Sequence, residues 1–208
     1  RESMMNNPIE QSGRSIIEML GVLAIIGVLT VGGIAGFSSA MSKYKITRIT
    51  DEVQRMVTNI RSVYAGKRSY AGLDNKTAYT LGILNNEQCA DENCAAATNA
   101  FSGSILLGLP NKAHYFSITY NGLTRDACTR LAMNNWGDAT SGLVAVVVKG
   151  SAQGNQNSMA YSSDGLNVFT TDKHGDLPIP LAKAVAACRN LTATGEIDGL
   201  ASITWVYR

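Results

Sequence analysis

The sequence predicts an α+β fold in which a long N-terminal α-helix, membrane-spanning in its first half and amphipathic in its second, packs on an antiparallel sheet in a disulfide-stapled globular head. Three observations lead there. An uncharged apolar run near the N-terminus passes without a proline into a striped helix, the second half alternates short strand candidates with short helices, and the four cysteines form an even set. The composition agrees: 208 residues, 45% hydrophobic and 16% charged, describe a folded chain with one main domain and exclude collagen, a coiled-coil rod and a disordered tail. A formal net charge of +2 without a dense Lys/Arg cluster gives no footprint for a specific nucleic-acid partner.

The apolar run extends from Met19 to Ser42, 24 residues without a charge. As a helix it would measure roughly 36 Å, enough to cross a bilayer. Glu18 stands at its very start, where a charge requires a reason. A secretory signal peptide cleaved after Ala40 is the first competitor, but the run is longer than an ordinary h-region and no basic cluster introduces it. The positive-inside rule is no guide to orientation, because Arg1 and Arg14 are offset by Glu2 and Glu10, while Lys43, Lys45 and Arg48 follow the span. Beyond it, Ile46, Ile49, Val53, Met56, Ile60 and Val63 form one apolar stripe with polar residues expected on the other face. With no glycine or proline between Ser42 and Val63, the helix is expected to continue to Gly66. One helix of roughly 75 Å suits either a subunit that packs beside copies of itself or a membrane-anchored periplasmic domain on a stalk.

Lys67 to Lys112 reads as a long polar connection containing Cys89 and Cys94, a spacing that could close a small surface loop or leave both thiols free. Strands are expected at His114–Tyr120, ended by Asn121-Gly122, at Leu143–Lys149 and at Ser202–Tyr207. Helices are expected at Thr124–Asn134, which carries Cys128, and at Pro180–Asn190, which carries Cys188. A Cys128–Cys188 link would enclose about sixty residues and stabilise the fold by roughly 4 kcal/mol. The absence of any C-x-x-C spacing favours disulfides in an oxidising compartment over a zinc or redox site, against the alternative of four buried thiols. Residues 150–157 suit an exposed loop.

Catalytic signatures are lacking: there is no G-x-S-x-G elbow, phosphate loop or dinucleotide fingerprint, so no enzyme activity and no cofactor are expected. His174 lies between Asp172 and Asp176, but the segment reads as a polar loop rather than a metal site. Trp136, Trp205 and Tyr207 read as core or interface aromatics.

Ser12-Gly13-Arg14-Ser15-Ile16-Ile17-Glu18-Met19-Leu20 resembles the class III signal of type IV pilins and pseudopilins, with a glycine before the cut, a glutamate five residues after it and an unbroken apolar helix. The resemblance implies a prepilin leader at 1–13, cut after Gly13 by a membrane prepilin peptidase on the cytoplasmic side. With Met4 or Met5 as the start, that leader has ten or nine residues. It further implies a transmembrane and assembly helix at 14–42, its amphipathic continuation at 43–66 and a globular head at 67–208. Glu18 would pair with the freed amine of a neighbouring subunit, since a carboxylate in an apolar filament core is costly without a cation. The bland alternative is a helix-surface pair with Arg14, worth a few tenths of a kcal/mol. Arg14 departs from the usual apolar, N-methylated residue after the cut, and Ala35 stands where many members carry a proline. Gly27, Gly32 and Gly33 still weaken the helix there, each by about 1 kcal/mol relative to alanine. The segments Gly122–Leu131 and Ala187–Arg189 look like the borders of the disulfide-bounded variable region of type IVb pilins, here 128–188.

As implied by that family, the chain is a pilus subunit. It is inserted in the inner membrane as a precursor, then polymerised with other copies by the pilus assembly machinery into an extracellular bacterial filament serving adhesion or a related task. A minor pilin or type II secretion pseudopilin shares the same N-terminus and is the first alternative. A membrane-anchored periplasmic binding domain is the second.

Overall fold

The absence of proline allows a single helix, α1 (Ile16–Val63), to form across both the apolar run and the striped segment. The computed structural model describes residues 16–110, 114–151, 168–171, 176–189 and 199–208. It divides into two units, one up to Lys43 and one from Tyr44. After Val63 the helix unwinds through a turn closed by Ala65 N–H to the Ser62 carbonyl (3.3 Å) and Lys67 N–H to the Tyr64 carbonyl (2.9 Å). Gly66 adopts a left-handed conformation there (φ 80°), the ordinary way to stop a helix. The remaining elements are α2 (Asn75–Thr80), β1 (Ala97–Thr98), β2 (Ser104–Gly108), β3 (Phe116–Thr124), α3 (Arg125–Met133), β4 (Leu143–Lys149), β5 (Val168–Thr170), α4 (Leu181–Ala187) and β6 (Leu200–Tyr207).

The strands form one antiparallel sheet in the order β1-β2-β3-β6-β4-β5, which puts the C-terminal strand at its centre. Register then sorts the side chains. Phe116, Ile118 and Tyr120 lie opposite Tyr207, Trp205 and Ile203, and Val146 and Val148 lie opposite Trp205 and Ile203. Strand alternation places all of these on one face. That face meets the stripe of α1: Ile49, Val53, Met56 and Ile60 are buried in the same cluster. The opposite face carries Ser117, Thr119, Ser202 and Thr204, with the Thr119 and Thr204 hydroxyls hydrogen-bonded at 2.8 Å.

The expected α+β architecture is present, with four local differences. The connection 67–112 is not structureless, for it contains α2, β1 and β2. These elements are too short for a periodic signal, and each is held by tertiary pairing. The strand β5 was not expected, for the same reason. Val63, the last residue of the expected stripe, is exposed, and Tyr64 takes the buried position as the helix unwinds. Asn121-Gly122 does not end a strand: β3 runs on to Thr124 through a bulge, with Tyr120 opposite Ile203 and Leu123 opposite Ala201. Gly122 takes φ 66°. Its backbone lies against Gly103, whose hypothetical Cβ would sit 1.8 Å from the Asn121 carbonyl oxygen. Asn99 caps this crossing by donating from Nδ2 to the Asn121 carbonyl at 2.8 Å.

Candidate assembly surface

The first half of α1 carries exposed side chains along its whole length. From Ile16 to Phe37 every large apolar side chain is more than half exposed, with Ile17 at 79% and Phe37 at 68%. The exposure is all-round rather than one-sided, as consecutive pairs such as Ile16-Ile17, Leu29 with Val28 and Ile25-Ile26 point in different directions. The segment is long and apolar enough to cross a membrane. Burying a Val, Leu, Ile or Phe side chain gives about 1.5–3 kcal/mol, so covering this surface would yield on the order of 20–40 kcal/mol as an upper bound. That margin exceeds the several kcal/mol needed to take one carboxylate out of water.

The carboxylate in question is Glu18, in the first turn of α1, where free backbone N–H groups favour negative charge. It is exposed and is the single charged residue between Ile16 and Ser42. Thr30, the other strongly polar group at mid-span, satisfies itself by donating to the Ile26 carbonyl at 2.7 Å. A Cβ added at Gly21, Gly27, Gly32, Gly33 or Gly36 would meet nothing within 4 Å. Contacts among the described residues therefore place no demand on those glycines. Gly13 and Arg14 lie outside the described residues.

The second half of α1 is anchored to the sheet by a polar network that the stripe did not reveal. Glu52 sits on the buried side of the helix, contrary to the expectation that polar residues would all face away. Arg48 Nε donates to Glu52 Oε1 at 2.8 Å, Arg48 Nη2 to Glu87 Oε2 at 2.5 Å, and the Tyr120 hydroxyl to Glu52 Oε2 at 3.1 Å. Arg48 on the helix and Tyr120 on β3 thus share the Glu52 carboxylate, one on each oxygen, so its burial leaves neither oxygen unpaired, while Arg48 also reaches Glu87. Burial, with the Glu52 charge beside it, pushes the Tyr120 phenol well above its ordinary range, and the Glu52 hydrogen bond raises the Arg48 guanidinium. The sequence carried one signal for this: Glu52 lies three residues after Ile49 and four before Met56, in register with the stripe.

Farther along, Lys45 lies 5.2 Å over the Phe101 ring and Arg61 lies 5.3 Å over the Tyr207 ring, while Arg61 Nη2 donates to the Arg208 carbonyl at 3.0 Å. The aromatics behind them form the core. Trp136 and Trp205 are 4.6 Å apart, Trp136 Nε1 donates to the Leu131 carbonyl at 2.6 Å, and the Tyr207 hydroxyl donates to the Trp136 carbonyl at 3.3 Å.

All four cysteines are paired. Cys128 on α3 joins Cys188, the residue capping the C-terminus of α4, with Cα atoms 6.0 Å apart, so the bond ties the two helices side by side. Cys89 joins Cys94 across five residues, and Cys89 also bridges to Ala97 at the start of β1. Asp172 and His174 fall outside the described residues, and Asp176 instead accepts a bond from Lys183 Nζ at 3.0 Å. Of the 150–157 loop, only Gly150 and Ser151 are described.

Comparison with known proteins follows the same pattern. The family model described as Bundlin matches residues 38–208. The chain is 29% identical over 196 residues to the "Major structural subunit of bundle-forming pilus" of Escherichia coli O111:H-, covering 93% of this chain and 95% of that protein. It is likewise 29% identical over 196 residues to the protein of the same name from Escherichia coli O127:H6, with the same coverage. Among solved structures, TcpA, a type IV pilin from Vibrio cholerae El Tor biotype, superposes with a TM-score of 0.51 at 15% identity over 79% of this chain and 99% of that one, a likeness of fold.

Proposed function

The chain belongs to the bundlin family, and from that premise we propose that it is the structural subunit of a type IVb pilus, polymerised through the first half of α1. The observation that carries this reading is the all-round exposure of the apolar side chains from Ile16 to Phe37, with a single carboxylate at their head. A lone anchor needs a lipid-facing helix but has no use for Glu18. A helix that leaves the bilayer to be packed among copies of itself needs both the apolar surface and a group that sets register. Both Escherichia coli relatives are named major subunits, which supports a main subunit over a minor pilin or pseudopilin.

In this reading the precursor rests in the inner membrane and prepilin peptidase removes residues 1–13 after Gly13. The new amine of Arg14 then faces Glu18 of a neighbouring copy during insertion by the assembly machinery. Residues 14–42 form the filament core, 43–66 attach it to the head, and 67–208 form the outer layer, with 128–188 as the variable face. The open glycines along α1 suit close approach of neighbouring helices, where a Cβ would hold the backbones apart.

Replacing Glu18 by Ala tests the proposal. Sheared surface filaments should disappear while the variant stays folded in the membrane fraction with both disulfides intact, and N-terminal sequencing of the wild-type subunit should begin at Arg14. Normal filaments from Glu18→Ala, or a mature N-terminus beyond the apolar run, would overturn it.

A further inference from the structure

Two surfaces of the head lie toward opposite edges of the sheet and complement each other. The first is α4, which rests against β4 and is tied to α3 by Cys128–Cys188. Ala184 and Ala187 form its buried side. Leu181 and Val185, one turn apart on the helix, are 58% and 39% exposed, and Ala182 and Ala186 are exposed as well. A short helix thus turns an apolar ridge to solvent. Its charged neighbours include two cations, Lys183, which bonds Asp176, and the exposed Arg189.

The second surface is a cleft of about 680 Å³ beside α2. Asn75 holds α2 against β2 by donating to the Ile105 carbonyl and accepting from Leu107 N–H, both at 2.8 Å. Lys76, Tyr79 and Thr80 line the cleft from α2, with Gly82, Leu84 and Glu92 among the residues that complete it. Its form is set in advance: the Tyr79 hydroxyl donates to Asn86 Oδ1 at 2.7 Å, and the Cys89–Cys94 bond closes the loop that carries Glu92. A Cβ added at Gly82 would meet nothing within 4 Å, so the cleft is open there. Residues 85–94 contain three carboxylates, Glu87, Asp91 and Glu92, and no Lys or Arg, with Lys76 the cation on the α2 wall.

β2 and β4 stand three places apart in the sheet, about 14 Å at the usual strand spacing, and the disulfide fixes α4 on its own side. A head therefore cannot seat its own ridge in its own cleft. Between copies the match is ridge to cleft, a heterologous contact, and repetition of such a contact without closure builds an open helical chain.

We propose that the α4 ridge of one copy seats in the α2 cleft of the next. This contact rests on the pilus-subunit reading and gives the heads a joint of their own besides α1. Leu181 and Val185 enter against Tyr79 and Leu84, while Lys183 and Arg189 meet the carboxylates of the 85–94 segment, an apolar centre inside a charged margin. The occupant is a second copy because the ridge, the cleft and their opposite charges belong to the same chain, and because burial of the Ile16–Phe37 surface between copies brings heads side by side.

The test treats sheared filaments of full-length Thr80→Cys/Leu181→Cys with a short bis-maleimide. All four native cysteines are bonded, so the introduced thiols are the reactive ones. Denaturing gels should show a ladder of dimers, trimers and longer species from the double variant, none from either single variant, and dimers alone from mixed filaments of the two single variants. Thr80→Cys/Val185→Cys is a second pair with the same expectation. Leu181→Asp should lower filament yield about tenfold while the unfolding midpoint of the full chain in detergent stays within about 2 °C of wild type. Double-variant filaments without a ladder give the cleft to another occupant and overturn this contact alone, as does an undiminished yield from Leu181→Asp. Cross-linking of Leu181→Cys by itself makes the contact ridge to ridge and overturns it too. Absence of filaments from the wild-type chain overturns the pilus-subunit reading and this contact with it.

Discussion

Removing the Cys128–Cys188 bond should weaken the head about twice as much as removing Cys89–Cys94, although both cross-links are buried. The bonds close segments of very different length, with sequence separations of 60 and 5. In the chain-entropy account, a cross-link restricts the unfolded ensemble by an amount that grows with the logarithm of loop length, giving about 4 kcal/mol for the long loop and about 2 kcal/mol for the short one. Substituting each pair by alanine also removes sulfur from the core. Cys89, Cys94, Cys128 and Cys188 are all at most 3% exposed, so that packing cost is similar for both pairs and cancels in the difference. Against a typical domain stability of about 5–15 kcal/mol, the long-loop variant loses a large fraction. The assay is guanidinium and thermal unfolding of residues 44–208, followed by the fluorescence of Trp136 and Trp205, which are buried and 4.6 Å apart. The two double variants should differ by about 2 kcal/mol, or about 4–8 °C in Tm for a domain of this size. Equal losses, or a greater loss from Cys89→Ala/Cys94→Ala, would refute the loop-length reasoning.

Two further outcomes follow from the core. Gly103→Ala would drive a Cβ to 1.8 Å from the Asn121 carbonyl oxygen, a backbone atom that cannot swing aside, so thermal unfolding should show a loss of about 2–3 kcal/mol; an unchanged Tm would mean the two segments do not cross so closely. Burial pushes the Tyr207 phenol up to about 12 from 10.0, outweighing the opposing Arg61 charge. A raised folded-state value means that the neutral phenol is preferred in the fold, so its contribution is complete below pH 10 and is lost as pH rises through about 12. Tyr120, also raised, adds to this alkaline loss. Denaturation midpoints from pH 9 to 12 should fall more gently for Tyr207→Phe than for wild type, and an identical slope in both would count against the assignment.

Glu52 shows how a local pattern can be read correctly and still mislead. The stripe Ile49, Val53, Met56 and Ile60 identified the buried side of α1, and those residues are buried. Glu52 lies within the same arc, yet its type argued for the solvent face. One partner, Tyr120, comes from β3, 68 residues away in sequence, and the other, Arg48, is itself held by Glu87, 39 residues on from it. Asn75, the first residue of α2, is a similar case: its carboxamide donates to the Ile105 carbonyl and accepts from Leu107 N–H, 30 and 32 residues on, and no spacing in the chain announces that pairing.

What the sequence by itself determined was whatever depends on neighbours along the chain. A proline-free apolar run must form a helix to satisfy its backbone in an apolar medium, a 3–4 spacing of apolar residues gives that helix one buried side, and alternating β-branched residues at Leu143–Lys149 form a strand. Only the tertiary structure decided the sheet order with its last strand in the middle, the short strands β1, β2 and β5, and the conversion of Asn121-Gly122 from a turn into a bulge. Those features are held by hydrogen bonds and close contacts between segments far apart in sequence, such as Gly103 against Asn121. Their energies arise only once the chain has brought the partners together.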